Sequence, residues 1–323
     1  PLKGAAVDRR GEGVVHDQGH AVGVSSLGKL LDIQHGQGGV GNGLAEHHLG
    51  VGPEGGVQLL LGAQRVHKGG LNAHLLHDDL MDEADMRRGQ PTVHKVWDAN
   101  TAILSGDAML IAAYRLVAKA DKVHLKPALD LFTQTALEIC GGQQYDMEFE
   151  KRDDVAEEEY IEMIRLKTAV LLACALKMGA ILADAPAEDA EHLYHFGIAI
   201  GLAFQLQDDL LDVYGDPKTF GKNIGGDILC DKKTFLLINA FKRSNEQQKE
   251  VLKRWIGTAS VDPQAKIAAV TDIYNQLHLK QLSEEKIEAY FTEAMSHLDA
   301  LNVEPVKLAA LKEISHLLMN RKS

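Results

Sequence analysis

Two aspartate clusters of matching spacing are the residues best suited to do chemistry. Asp78-Asp79-Leu80-Met81-Asp82 follows the apolar pair Leu75-Leu76, and Asp208-Asp209-Leu210-Leu211-Asp212 follows the apolar run from Phe196 to Gln207. On a helix, positions i and i+4 share a face, so Asp78 stands beside Asp82 and Asp208 beside Asp212. Such like-charge pairs repel by roughly a few tenths of a kcal/mol each, unless a cation neutralises them. Mg²⁺ takes this kind of hard oxygen ligand, with one or two carboxylates leaving positions for water and phosphate oxygens. A single cluster is more often an acidic patch on a solvated helix face. Two matched clusters, each followed by basic residues, are more specific.

The basic residues are Arg87 and Arg88 after the first cluster, and Lys222 and Lys232 after the second, with Lys167, Thr168 and Gln205 between them. Arginine offers a fixed fork of donors for phosphate oxygens and lysine a mobile point charge, so the mixture suits a diphosphate.

The elements that must position these groups are helices. From Leu75 onward apolar residues recur at three- and four-residue spacing. Ile287, Tyr290, Phe291, Ala294, Met295 and Leu298 make one stripe; Leu308, Leu311, Ile314 and Leu318 make another after Pro305, which suits a first helical turn. No alternating strand pattern competes. The expectation is an all-α helical bundle with its ligand site in a central cavity between facing helices.

Bulk properties bound the alternatives. The 323-residue chain is long enough for a substantial core. Its formal net charge of -12 argues against nucleic acid, whose backbone is held by clustered Lys and Arg. Cys140, Cys174 and Cys230 are odd in number and widely spaced, so buried reduced thiols are expected. The apolar stretch 196–206 is too short to cross a bilayer, and no signal-peptide pattern opens the chain, so a soluble cytoplasmic protein is expected. Residues 1–74 differ in kind: they hold 18 of the 30 glycines and no Phe, Tyr, Trp, Met, Cys or Thr, and their six acidic and six basic residues balance. Glycine at that density favours irregular structure. The composition fits either a flexible extension or a stretch not translated in the frame of the rest, and favours the second. The helical domain is therefore set at 75–323.

Residues 75–92, Ser105-Gly106-Asp107, Gly142-Gln143-Gln144-Tyr145-Asp146, Lys167-Thr168, 204–209, and Gly221-Lys222 through Lys232-Lys233-Thr234 together resemble the trans-isoprenyl diphosphate synthases, across about three quarters of the chain. The resemblance implies the isoprenoid-synthase bundle and condensation of an allylic diphosphate with isopentenyl diphosphate to a longer all-trans polyprenyl diphosphate. It implies three Mg²⁺ ions, two on Asp78 and Asp82 and a third on Asp208 and Asp212. Arg87, Lys167 and Lys232 would hold the allylic diphosphate beside Thr168, Gln205 and Lys222, with Arg88 reaching isopentenyl diphosphate. The residues four and five before the first aspartate, His74 and Ala73, would floor the product groove, and a small Ala73 would admit chains longer than farnesyl. Family members are generally homodimers.

The departures are in the upstream segment. The family's Gly-Gly-Lys-Arg-type motif has only a faint echo in Ser26-Leu27-Gly28-Lys29, and Leu71 stands where a histidine is usual. Two rival readings are a terpene cyclase, which the intact second aspartate cluster disfavours, and a non-catalytic partner subunit of a prenyl synthase, which usually loses one or both clusters.

Overall fold

A computed structural model describes residues 73–87, 89–215, 224–257 and 262–319. Arg88, Lys222, Leu71 and the Ser26-to-Lys29 stretch lie outside these described residues, as does the segment 1–74 except for Ala73 and His74. Those two are already helical, so the helix bearing the first aspartate cluster begins inside the boundary that composition had set.

Helix α1 covers residues 73–81. A two-residue hairpin follows, β1 (Met86–Arg87) against β2 (Gln90–Pro91), with Gly89 at φ +75 in its turn. The next helices are α2 (Val93–Val96), α3 (Ala99–Val117), α4 (Leu125–Phe149) and α5 (Glu157–Ile164). One wide π turn, Arg165–Ala169, joins α5 to α6 (Val170–Leu182). Then come α7 (Ala187–Tyr214), the short α8 (Gly226–Leu229), α9 (Phe235–Arg243), α10 (Glu246–Trp255), α11 (Pro263–Gln276), α12 (Leu279–Asp299) and α13 (Pro305–Met319). The expected all-α bundle is what forms, and the hairpin is the sole strand pairing among the described residues.

Helix starts follow local chemistry. Asp98 accepts from the Thr101 amide at the head of α3, Asn245 and Gln248 cap each other's backbone at α10, and Asp262 caps α11 with Pro263 in its first turn. Helix α13 likewise opens on Pro305.

Helix α7 is the axis of the bundle. Its upper half packs Phe196 and Ile200 against Ala294 and Leu298 of α12. Its lower half packs Leu202, Leu206 and Leu210 against Ile164, Ile238 and Ile287. Gly197 and Gly201 meet the α6 and π-turn backbone so closely that an added Cβ would lie 2.4 Å from the Ala173 Cα and 2.7 Å from the Ala169 Cα. The α12 stripe is thus spent against α7. The cysteine expectation holds for only one of the three: Cys174 is buried, whereas Cys140 on the outer side of α4 and Cys230 after α8 are exposed, because neither sits on an inward helix face.

Candidate active site

The first cluster sits where α1 ends. Asp78 and Asp79 are buried, and the Asp82 amide closes the last turn by donating to the Asp78 carbonyl at 2.9 Å. Thr92 ties the hairpin down by donating its hydroxyl to the Ala84 carbonyl. The hairpin turns Arg87 back onto the helix end, where Nε lies 2.6 Å from Asp79 Oδ1 and Nη2 3.2 Å from Asp78 Oδ2.

Lys167 reaches the other oxygen of Asp78 from the π turn, 2.9 Å away, and Asp146 of α4 at 2.6 Å. π turns recur at functional sites because they re-aim side chains out of the helical register. Here Gly142 of α4 permits it: a Cβ there would stand 2.4 Å from the Lys167 amide nitrogen. Burial alone would raise the Asp78 pKa, but Lys167, His74 and Arg87 together outweigh it and hold the carboxyl below its ordinary value. Asp82 goes the other way, raised by desolvation and by the neighbouring charges of Asp78 and Asp146. That crowding is what a divalent cation would relieve.

The second cluster occupies the end of α7. Asp209 is buried, accepting from the Tyr160 hydroxyl on Oδ2 and from Gln205 Nε2 on Oδ1 at 3.2 Å. The Thr168 hydroxyl donates to Gln205 Oε1 at 3.3 Å, so the π turn and the second cluster share one network. Asp208 and Asp212 are half-buried. Asp212 accepts the Asp227 amide at 3.0 Å, which docks α8 on α7.

Lys232 joins the two clusters. Its ammonium is 3.8 Å from Asp227, and burial, which opposes its charge, is outweighed by Asp227, Asp209, Asp146 and Asp82, so its pKa is raised. Asp209 belongs to the second cluster and Asp82 to the first, so both feel one lysine. The Lys232 side chain keeps 40% of its surface open.

Burial, then Asp227, push the Asp209 carboxyl up to about 7. A carboxyl raised in the folded state contributes stability that is full below its unfolded pKa and lost as pH rises through the folded value. The stability difference between wild type and Asp209→Asn in metal-free buffer is therefore expected to shift in favour of wild type as pH falls from 8 towards 5. A difference independent of pH, read from thermal unfolding, would contradict this.

Among the described residues no three carboxylate, imidazole or thiol side chains converge as a self-sufficient metal site. Mg²⁺, which completes its shell with phosphate and water, fits the carboxylate donors of the two clusters. The Lys167 ammonium stands 2.9 Å from Asp78 Oδ1, so a cation already faces the oxygen that a metal would take.

Of the expected site residues, the structure joins Asp78, Arg87 and Lys167 in one ion-pair cluster and Thr168 and Gln205 in a second network with Asp209. Asp82 feels the charges of the first cluster and of Lys232, Lys232 feels those of Asp82 and Asp209, and Asp208 and Asp212 lie on the α7 end. Sequence reasoning quoted Asp79, Asp146, Asp209 and Asp227 within its motifs but gave them no individual role, and it missed Tyr160. Asp146 had a usable signal: it lies one helical turn beyond Gly142, on the same face.

The family model for polyprenyl synthetases matches residues 69–274. The chain belongs to that family. It is 43% identical over 185 residues to a short chain isoprenyl diphosphate synthase of Methanothermobacter thermautotrophicus, a match spanning 57% of each chain. A geranylgeranyl diphosphate synthase of Methanosarcina mazei is 36% identical over 249 residues, covering 76% of this chain and 75% of that one. Among solved structures, a geranylgeranyl pyrophosphate synthase superposes with TM-score 0.80 at 38% identity, covering 95% of this chain and 94% of the other. The geranylgeranyl pyrophosphate synthetase of Pyrococcus horikoshii gives 0.78 at 30%, covering 86% and 83%. The fold is that of the isoprenyl synthases.

Proposed function

We propose that this polyprenyl synthetase is a Mg²⁺-dependent prenyltransferase that joins an allylic diphosphate to isopentenyl diphosphate, releasing diphosphate. The observation that carries the reading is the placement of Lys232 and Lys167 among carboxylates of both clusters. Binding cations held there by buried anions form a cradle whose charge suits a diphosphate bridged by metal ions.

Asp78 and Asp82 on one side and Asp208 and Asp212 on the other would hold Mg²⁺, three ions in all by family resemblance; one solved relative, from Corynebacterium glutamicum, is described as complexed with isoprenyl diphosphate and magnesium. When bound, Mg²⁺ supplies Lewis-acid stabilisation of the leaving diphosphate. Arg87, Lys167 and Lys232 grip the allylic diphosphate and stabilise the charge that grows on it as the allylic C–O bond breaks. Thr168 and Gln205, linked to each other and to Asp209, fix the floor of that cradle. The alkene of isopentenyl diphosphate attacks the allylic cation, and the proton lost on closing the new double bond passes to the departed diphosphate. By the family resemblance, Arg88 would reach isopentenyl diphosphate and Lys222 the allylic diphosphate.

The growing chain lies along an apolar wall that begins at Ala73, Leu76 and Met109, which pack together directly behind the first cluster. Ala73 is small, so this wall leaves room for a product longer than farnesyl, and two relatives are named geranylgeranyl diphosphate synthase. Ala73→Phe is expected to shorten the main product by at least one isoprene unit, read by chromatography of the dephosphorylated lipids; an unchanged product would remove Ala73 from the length-setting wall.

The protein acts in the cytoplasm as a homodimer. Leu104 and Ile111, two turns apart on α3, and Leu137 on α4 are all more than 60% exposed and offer an apolar face to a second copy. No described helix is long and apolar enough to cross a membrane. Light scattering should report two chains per particle.

The functional test mixes protein, Mg²⁺, geranyl or farnesyl diphosphate and labelled isopentenyl diphosphate. Label in an extractable, longer prenyl diphosphate is expected, and its absence would overturn the reading.

A further inference from the structure

Lys266 is a lysine that the reaction does not use, yet its side chain is only 4% exposed. Its ammonium donates to Asp231 Oδ1 at 2.5 Å and to the Leu229 carbonyl at 3.3 Å. Asp231 holds φ at +55, a left-handed backbone that residues with a Cβ rarely adopt, and its other oxygen accepts the Gly257 amide at 2.9 Å. The next residue along α11, Ile267, fills the space beside Gly225, where an added Cβ would lie 2.7 Å from its carbons. Two consecutive residues of α11 therefore seat both ends of the segment 225–231, which holds α8.

The residue after Asp231 is Lys232. Its amide donates to the Asp227 carbonyl at 3.0 Å, so the backbone from which its side chain departs is tied to the end of α8. An apolar residue of similar volume at 266 could fill the same space. It could not hold the Leu229 carbonyl and the Asp231 carboxylate at once, and these flank the left-handed step from which Lys232 departs.

We propose that Lys266 is a positioning residue for the diphosphate site: through Asp231 it fixes the backbone on which Lys232 stands. The proposal rests on the reading of Lys232 as a diphosphate ligand. Misplacing a substrate-positioning group by about 1 Å can cost on the order of a hundredfold in turnover.

The test uses the full chain. Lys266→Met alone would leave the half-buried Asp231 carboxylate without its cation, so it is paired with Asp231→Gly, which removes that charge and tolerates the left-handed backbone. The double variant is expected to keep a cooperative melt, to exchange its amides at 229–233 faster, and to raise KM for the allylic diphosphate by about tenfold or more while KM for isopentenyl diphosphate stays within about twofold. Lys266→Arg with Asp231 intact, which keeps the ion pair, should hold the allylic KM near the wild-type value. A folded double variant with an unchanged allylic KM, or with equal losses on both substrates, would overturn the proposal. Should the double variant lose its melt, Asp231→Asn, which keeps shape and drops charge, is read by the same criteria. If the wild type itself elongates nothing, the functional reading fails on its own. The positioning role is then decided by amide exchange: unchanged exchange at 229–233 in the variant would overturn it, and faster exchange would support it.

Discussion

Asp78→Asn is expected to lower kcat by at least about a hundredfold, the upper end of what losing mere outer-shell partners of metal ligands costs. Three roles are lost at one atom group. The carboxylate is the proposed anchor for Mg²⁺, and it is also the counter-charge for Lys167 at 2.9 Å and Arg87 at 3.2 Å. Asparagine keeps the shape but cannot balance two cations, so both would drift from the positions in which they meet phosphate. Because Asp146 and Asp79 still hold one end of each cation, the fold should survive. Steady-state kinetics across a Mg²⁺ titration check this: the loss should not be recovered at saturating metal. Wild-type turnover in the variant would remove Asp78 from the site.

Gly142→Ala is the second large effect, and it acts through the backbone. The new Cβ would stand 2.4 Å from the Lys167 nitrogen and 2.8 Å from the Leu166 carbonyl carbon. Neither atom belongs to a flexible side chain, so α4 and the π turn must move apart. Overpacking of this kind costs about 1–3 kcal/mol. The displacement falls on Lys167 itself, so turnover should drop on the order of a hundredfold, in excess of what the stability loss explains. Gly141 is the control beside it: nothing lies within 4 Å of its added Cβ, and Gly141→Ala should gain about 0.5–1 kcal/mol of helix stability with turnover intact. Thermal melts and turnover of the two variants distinguish the cases, and equal behaviour would remove the close approach from the account.

What the sequence made legible was whatever has a local period or a local cap. The α12 stripe from Ile287 to Leu298, the start of α13 at Pro305 and the helical setting of both aspartate clusters follow from 3.6-residue spacing. Arg87, Lys167 and Lys232 were reachable because residues of the family's motifs stand at matching places. The rest depends on pairings across the chain that no local pattern records. Asp146 matters because Lys167, 21 residues later, reaches back to it. Tyr160 reads as one aromatic among glutamates and becomes the buried donor to Asp209, 49 residues on. The π turn has no composition of its own; only the missing Cβ at Gly142 makes room for it. The cysteines were misjudged because an apolar neighbourhood in sequence does not say which helix face is inward.

The central claim is that the carboxylates of both clusters and the lysines between them form one diphosphate clamp. Calorimetric titration of inorganic diphosphate into the wild type, Asp78→Asn and Asp208→Asn, each with and without Mg²⁺, tests it most directly. Binding that requires Mg²⁺ and is weakened by at least about tenfold in either variant is the predicted result. Binding that ignores Mg²⁺, or that survives intact when one cluster is altered, would contradict it.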